Sequence, residues 1–394
     1  MKFYYLLLFF ALSISCSRPG NTNSFEDHPA GKDISSFPRF YQVNDTLLFM
    51  SWVETKDDSS SLRYSTFSND GWSDPLDVAK GTDWFINWAD FPELAANNEG
   101  LVASTWLKKS SPDTYSYDTW IQVSGSGKPF VVHNDSTKTE HGFVSMEMVT
   151  DSTFMVVWLD GRQTADRERS EYSDINKSMS LRGALLDLSG RVLNRYLIDD
   201  SVCDCCNTSL TKTQNGLIVF FRDRNENEIR DIKFARFDGE EWNNPELVAP
   251  DNWQIAACPV NGPSSSYEDG KTLVSWFTGA NNKAAVKWRI IDGDSPAEIR
   301  ISDNNSPEGR VQALLRNSRV FISWIDRNGI LLVNEYDLQG KFISQPFKEE
   351  ITKNRNTGFP QLSMVDNNLV VAWTSVTETG KSLRTRIIDL PNSE

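Results

Sequence analysis

The chain has 394 residues, 11% of them aromatic, and a formal net charge of −14. This acidic balance argues against nucleic acid and against anionic lipid as partners, because both require a basic surface. A chain of this length with so many aromatic residues can bury a large core, and β architectures of this size often form one domain.

The N-terminus predicts export. Residues 1–15 carry one positive charge, at Lys2, and an apolar run too short to cross a bilayer, and small residues precede Cys16. This pattern is typical of a lipoprotein signal peptide that leaves a lipidated Cys16; the alternative is an ordinary signal peptide cut nearby. We expect a lipid-anchored protein of the bacterial cell envelope, at the outer membrane and facing the periplasm or the exterior. Residues 16–36 would form a tether and residues 37–394 a single domain.

A short apolar run that ends in an aromatic residue recurs every 48 to 63 residues. A strand-like segment precedes each run, an alternating segment follows it, and several units close with a fourth strand-like segment. Four strands repeated seven times predict an all-β fold, a seven-bladed β-propeller with four-stranded antiparallel blades. The seventh unit lacks its fourth strand, which part of residues 25–36 would supply unless that stretch is only a tether. The aromatic residues are Trp52, Trp106, Trp158, Phe221, Trp276, Trp324 and Trp373.

Propeller topology places the candidate functional residues on one face. The loop into the first strand of each blade and the loop out of the second lie around the same end of the central channel, the usual binding surface of such rings. These loops contain Asp90, Glu140 and His141, which are candidates for proton transfer, and several arginines, which suit a carboxylate or another anion. For each residue the alternative is a structural role in a local ion pair or hydrogen bond. The candidate ligand-binding residues are Trp88, Arg162, Arg222, Arg224, Asp231 and Asn261.

The stretch VCDCCN places Cys203, Cys205 and Cys206 within four positions, and Cys258 follows in ACPVNGP. In an exported protein these cysteines should be oxidised unless a metal holds them. The favoured disulfides are Cys206–Cys258 and Cys203–Cys205; the alternative is a vicinal Cys205–Cys206 bond with Cys203–Cys258. No cofactor is expected. A soft metal such as copper(I) on the four thiolates is the alternative to disulfides, since the spacing is not that of a zinc finger or ribbon.

The motifs NWADFPELA, TEHGFVSM, WLDGR, VCDCC, FRDRNENEIRDI and CPVNGP together resemble those of bacterial sialidase-like propellers commonly labelled exo-α-sialidase. The resemblance spans residues 37–389 and implies a glycoside hydrolase acting on an acidic sugar, with a six-bladed sialidase-type ring as the alternative fold. True sialidases hold the substrate carboxylate with three arginines and use a tyrosine nucleophile paired with a glutamate. The sequence departs from that pattern: its Asp-box turns, SNDGW and FDGEEW, are degenerate, and no tyrosine can be assigned as the nucleophile.

Three hypotheses follow from the sequence. The first is a sialidase-like enzyme or binding protein whose arginines hold an acidic glycan while a carboxyl group or histidine moves a proton. The second is a non-catalytic envelope lipoprotein that binds a glycan or a protein partner and contacts the membrane only through the lipid on Cys16. The third is a metal- or redox-active site at the CDCC cluster.

Overall fold

The structure, a computed structural model, describes residues 28, 30–168, 174–292, 295–296 and 298–391. These residues form a ring of seven antiparallel sheets, so the predicted seven-bladed β-propeller is confirmed. Regular structure is almost entirely strand, with single 3-10 turns at Arg162–Thr164, Ile175–Lys177, Ala280–Asn282 and Arg355–Thr357. In the part of the chain that the structure describes, no helix is long and apolar enough to span a membrane.

The strands of the first four blades follow one another in chain order. Blade 1 contains β1 (Ser35–Asn44), β2 (Leu47–Lys56), β3 (Ser59–Ser68), β4 (Gly71–Trp72) and β5 (Leu76–Gly81), and blade 2 contains β6 (Leu94–Asn97), β7 (Gly100–Lys109), β8 (Tyr117–Val123) and β9 (Phe130–Val131). Blade 3 contains β10 (His141–Thr150), β11 (Thr153–Asp160), β12 (Met179–Asp187) and β13 (Val192–Val202), and blade 4 contains β14 (Ser209–Thr213), β15 (Gly216–Arg222), β16 (Ile232–Phe237) and β17 (Glu246–Leu247).

The last three blades complete the ring. Blade 5 contains β18 (Ser264–Glu268), β19 (Lys271–Thr278), β20 (Ala285–Asp292), β21 (Ser295–Pro296) and β22 (Arg300–Asp303). Blade 6 contains β23 (Gly309–Arg316), β24 (Arg319–Ile325), β25 (Ile330–Asp337) and β26 (Phe342–Glu350), and blade 7 contains β27 (Gln361–Val365), β28 (Asn368–Val376) and β29 (Lys381–Asp389).

The second strand of each blade is apolar along most of its length because both of its faces are covered by neighbouring blades. The recurring tryptophans lie in the second half of these strands and are nearly fully buried, and a buried indole N–H usually finds an acceptor. In blade 3, for example, Trp158 Nε1 donates to Asp160 Oδ2 at 2.9 Å. The equivalent indole groups donate to Glu54, Asp251 and Asp303 in blades 1, 5 and 6.

Blade 7 closes the ring against the start of blade 1. Ile34 forms a parallel bridge with Lys381 at the edge of β29, and the Leu383 amide donates to Ser35 Oγ at 2.9 Å. Two of the predicted closing residues, Asp33 and Ile34, therefore lie beside β29, while Ser35 and Ser36 belong to β1. Residues 1–27 and 29, including Cys16 and the first part of the predicted closing segment, lie outside the described residues.

The sequence predicts that the first strand of each blade begins, and the second strand ends, on the same face of the ring. The pairing of residues between these strands confirms this. His141, which opens β10, pairs with Asp160, which ends β11, and Gly309 pairs with Ile325 in the same way in blade 6. We call this the upper face; the lower face carries the hairpin turns between the first and second strands. The first strands of all seven blades line a central channel with a volume of about 700 Å³.

The upper end of the channel is filled by protein. Phe37, Phe91 and Phe359 are buried there in one cluster, and the Asn207 side chain donates to the Ala89 carbonyl across the ring at 2.8 Å. The cavity instead reaches the hairpin turns, so the channel opens at the lower face.

Candidate functional site

The upper face between blades 2 and 3 brings several predicted residues together. Successive side chains of a strand point in opposite directions, so the first two residues of β8, Tyr117 and Asp118, face different neighbours. Tyr117 meets Asp90 and Glu140, whereas Asp118 faces a pair of histidines. The two resulting clusters adjoin each other because Glu140 and His141 are consecutive.

The tyrosine–carboxyl cluster consists of Asp90, Tyr117 and Glu140. Tyr117 Oη lies 2.7 Å from Asp90 Oδ2 and also bonds to Glu140 Oε1, and the Phe143 amide donates to Asp90 Oδ1 at 2.8 Å. Asp90 and Tyr117 are buried, and Glu140 is partly buried. A phenol has one proton to donate, so contact with two carboxyl groups requires that one of them be protonated.

The environment favours that protonation. Burial raises the pKa of Asp90 to about 7, and burial together with the nearby charge of Asp90 raises the pKa of Glu140 to about 8. Position 142 must be glycine for the cluster to form, because a Cβ there would lie 2.0 Å from Asp90 Oδ2. At neutral pH the cluster can therefore store a proton.

The histidine–carboxylate cluster consists of Asp118, His133, Asp135, His141 and Asp160. The two imidazole rings stack with centroids 3.9 Å apart, and His141 Nε2 lies 3.1 Å from Asp135 Oδ2 and 3.8 Å from Asp160 Oδ1. Burial and the neighbouring His133 lower the pKa of His141, so this imidazole is neutral at pH 7.

The same cluster contains ligand atoms of the kind that hold a metal. Asp118, His133 and His141 each offer one ligand atom, and these atoms lie within 4.8 Å of one another. Asp118 Oδ1 is 3.3 Å from His133 Nε2 and 3.7 Å from His141 Nδ1, and these two nitrogens make no hydrogen bond with any described residue. Two imidazoles and a carboxylate form a common set of ligands for divalent transition metals. The sequence prediction found His141 but missed His133 and Asp118.

A basic pocket lies next to this cluster, between blades 2 and 3. Arg162 connects the pocket to the histidine–carboxylate cluster, because its Nε donates to Asp160 Oδ1 at 2.6 Å. Burial acts to raise the pKa of Asp160, but the hydrogen bond from Arg162 outweighs burial and lowers this pKa to about 2. Arg182 and Arg195 complete the basic side of the pocket, whose volume is about 110 Å³. The remaining lining residues are Asn134, Trp158, Gly183, Tyr196 and Leu197.

The three guanidinium groups of the basic pocket repel one another. Burial and the charge of Arg162 lower the pKa of both Arg182 and Arg195. Arg182 lies 3.9 Å from Asp160, a carboxylate already bonded to Arg162, and Arg195 uses Nη1 to bond the Val132 carbonyl at 2.6 Å. An anion in the pocket would relieve this repulsion and accept two-pronged hydrogen bonds.

The four cysteines form a thiol cluster on the upper face of blades 4 and 5, but no disulfide joins them. Cys203 Sγ lies 3.4 Å from Cys206 Sγ and 4.0 Å from Cys205 Sγ, and Cys258 contacts Cys205. The predicted Cys206–Cys258 and Cys203–Cys205 bonds are therefore not formed, and neither is the alternative pairing. The reason is local: Cys203 and Cys206 turn inward together, while Cys258 lies at the surface.

Three predicted ligand-binding residues of blade 4 are buried in its framework. Arg222 donates to the carbonyl groups of Asn261, Arg230 and Phe277. Arg224 is paired with Glu228, from Nη2 to Oε1 at 2.7 Å. The Asp231 carboxylate accepts bonds from the backbone amides of Asn252 and Trp253.

The other two, Trp88 and Asn261, lie where the upper-face loops fill the end of the channel. Trp88 stacks on Phe359 with ring centroids 6.2 Å apart. The Asn261 Oδ1 accepts from the Arg310 amide at 2.7 Å, and its Nδ2 donates to the Glu308 carbonyl.

Of the predicted residues, Arg162 and His141 meet at Asp160, and Asp90 and Glu140 meet at Tyr117.

Comparison with known proteins gives the fold. No protein-family model matches the sequence, and a comparison with curated proteins finds no match. Among solved structures, the chain is similar to an ulvan lyase described as a new family of polysaccharide lyase, with a TM-score of 0.52 and 9% identity over 93% of this chain and 95% of the other. At this identity the match shows a shared fold.

Two further structures are more distant. A neuraminidase-like protein from a flat-faced bat isolate matches with a TM-score of 0.48 and 9% identity, over 79% of this chain and 91% of the other. A prolyl endopeptidase matches with a TM-score of 0.45 and 13% identity, over 89% of this chain, which spans 46% of the endopeptidase. The solved structures to which this chain is similar thus include a polysaccharide lyase and a neuraminidase-like protein.

Proposed function

We propose that this propeller binds an anionic saccharide, whose charged substituent enters the basic pocket between blades 2 and 3. The observation that carries the proposal is the convergence of Arg162, Arg182 and Arg195 on one small pocket in a chain with a net charge of −14. A local reversal of charge on an acidic protein is a feature that selects anions.

The size of the pocket supports one charged group as its occupant. About 110 Å³ corresponds to only a few water molecules at roughly 30 Å³ each. A carboxylate or sulfate group fits this space, while the sugar ring that carries it would remain at the rim, beside Tyr196. The shared fold with a polysaccharide lyase supports a saccharide as the rest of the ligand. In this proposal the lipid on Cys16 would hold the ring at the bacterial envelope, where the ring would encounter anionic polysaccharides or a protein partner.

Replacing Arg182 with alanine should weaken this binding at least tenfold, since a hydrogen bond to a charged group contributes about 1.5–3 kcal/mol. The measurement is calorimetric titration with uronic-acid and sulfated oligosaccharides, alongside neutral oligosaccharides of the same length. Arg236→Ala is the matched control, because Arg236 pairs with Glu246 on the exposed side of blade 4. Equal binding of neutral and charged oligosaccharides, or no binding at all, would contradict the proposal.

A second candidate function is cleavage of the bound saccharide, as first expected from the sialidase-like motifs. One observation favours it: Glu140 is partly buried, bonds to Tyr117 and has a pKa of about 8. It is protonated at pH 7 and can serve as a general acid. This role would differ from the sialidase mechanism, because Tyr117 is buried and cannot reach a substrate as a nucleophile.

If the protein cleaves its ligand, Glu140→Gln should reduce turnover by about a hundredfold or more, and the wild-type rate should fall as the pH rises through about 8. Release of reducing or unsaturated ends from an acidic polysaccharide measures both effects. Glu298→Gln is the control, since that carboxylate is 74% exposed in blade 5. Saccharide binding without any turnover would eliminate this candidate and leave the binding function.

A further inference from the structure

The thiol cluster has no part in the proposed saccharide site. Cys203 and Cys206 are buried, Cys205 is partly buried and Cys258 is exposed. The Sγ atoms of the first three lie within 4.8 Å of one another. Three thiols so close together in a chain with only five cysteines need an explanation other than packing.

The sulfur spacing matches that of ligands around one metal ion. A tetrahedral ion at about 2.3 Å from each sulfur holds pairs of sulfurs about 3.8 Å apart. The distances from Cys203 Sγ to Cys206 Sγ and to Cys205 Sγ are 3.4 and 4.0 Å, on either side of that value. A disulfide requires about 2.0 Å, so the arrangement favours a shared metal over a covalent bond.

A positively charged side chain lies against Cys203, as is common beside sulfur atoms that bind metals. Arg230 Nη1 donates to Cys203 Sγ at 3.3 Å. Arg230 is itself held in place by Glu228, from Nη2 to Oε2 at 2.7 Å.

The cluster also offers a fourth ligand and a path from solvent. Cys258, in the neighbouring loop, contacts Cys205 and lies at the protein surface. A metal ion can therefore reach the buried pair through the more exposed one. Four thiolates without a carboxylate or imidazole among them select soft metals.

We propose that Cys203, Cys205 and Cys206 bind one thiophilic d10 metal ion, Cu(I) or Zn(II), with Cys258 as the fourth ligand. This site is separate from the basic pocket and does not depend on saccharide binding. It takes the place of the disulfides expected from the sequence.

The full chain, expressed with export and purified without chelators and without oxygen, provides the test. Elemental analysis should find one metal ion per chain, and alkylation of the cysteines should be slow until a strong chelator is added. Competition with bicinchoninate measures Cu(I) affinity, and competition with pyridylazoresorcinol measures Zn(II) affinity; the tighter ion identifies the metal.

Variants separate the thiol cluster from the histidine–carboxylate cluster. Cys205→Ser should weaken metal binding at least tenfold, and it is the least disruptive change because Cys205 is only partly buried. Cys258→Ser is a second variant at a surface position. His133→Asn is the control, since it removes a ligand atom of the other cluster and should leave Cu(I) or Zn(II) affinity unchanged, with circular dichroism confirming the fold of all three.

Either of two results would overturn the proposal. One is a metal-free native protein whose mass is two or four hydrogens below the fully reduced form, with cysteines that resist alkylation until they are reduced. The other is metal that stays bound in Cys205→Ser and Cys258→Ser but is lost in His133→Asn.

Discussion

Arg222→Ala should lower the free energy of unfolding by more than about 3 kcal/mol. The guanidinium group of Arg222 is almost fully buried and donates to the carbonyls of Asn261, Arg230 and Phe277 at 2.6 to 3.0 Å. It also lies over the Trp253 ring, 4.8 Å from its centroid. Alanine would leave the carbonyl groups buried without a donor and open a cavity between blades 4 and 5.

Urea unfolding followed by tryptophan fluorescence measures this loss. Arg222→Lys should recover little of it, because one ammonium group cannot reproduce the planar donor geometry. Arg236→Ala, at an exposed ion pair, should change stability by less than about 0.5 kcal/mol. If Arg222→Ala unfolds like the wild type but no longer binds an anionic saccharide, the ligand-binding role first expected for Arg222 is correct.

Stability should fall by about 3 kcal/mol between pH 6.5 and pH 8. The cause is three carboxyl groups whose pKa is raised by burial: Asp90 and Glu147 to about 7, and Glu140 to about 8. An acid with a raised pKa in the folded state contributes stability below its unfolded pKa, and this contribution is lost as the pH rises through the folded value.

The prediction is limited to pH 6.5–8 because, at lower pH, other groups make the folded protein more stable as the pH rises. Burial lowers the pKa of His28 to about 4 and also lowers that of His141. Both histidines therefore add stability as the pH rises toward 6.5. Asp160, with a pKa of about 2, loses its contribution only in strong acid.

Denaturant midpoints measured at several pH values check this prediction. Glu147→Gln should reduce the fall in stability between pH 6.5 and 8, because the amide still accepts the hydrogen bond from Tyr41 Oη but does not titrate. Glu246→Gln, which replaces an exposed carboxylate, should leave the profile unchanged. A stability that is constant or rising from pH 6.5 to 8 would show that these carboxyl groups are ionised in the folded protein.

The fold was predictable because each blade repeats a local pattern. The apolar second strand and its terminal aromatic residue are set by burial on both faces, and this can be seen in residues such as Trp158 and Trp276 without knowledge of their neighbours. The sharing of one face by His141 and Asp160 also followed from propeller topology. Shorter outer strands such as Phe130–Val131 carry too few residues for a pattern to specify.

The candidate site was less predictable because its members come from different parts of neighbouring blades. Arg182 and Arg195 lie on the third and fourth strands of blade 3, where exposed charges are common and carry no signal. His133 lies in the loop that leads into blade 3, and only stacking on His141 distinguishes it. One signal was available in the sequence: in the strand-like stretch TYSYDTW, consecutive residues point to opposite faces, which places Tyr117 and Asp118 on different sides of the strand.

Closure of the ring has a consequence for the speed of folding. The Leu383 amide and Ser35 Oγ, which join blade 7 to blade 1, are 348 residues apart in the chain. Bringing such distant ends together loses about 5 kcal/mol of chain entropy, and contacts of long sequence separation slow folding. We therefore expect blades to assemble from local hairpins first, with the docking of the last blade on the first as the slow, final step.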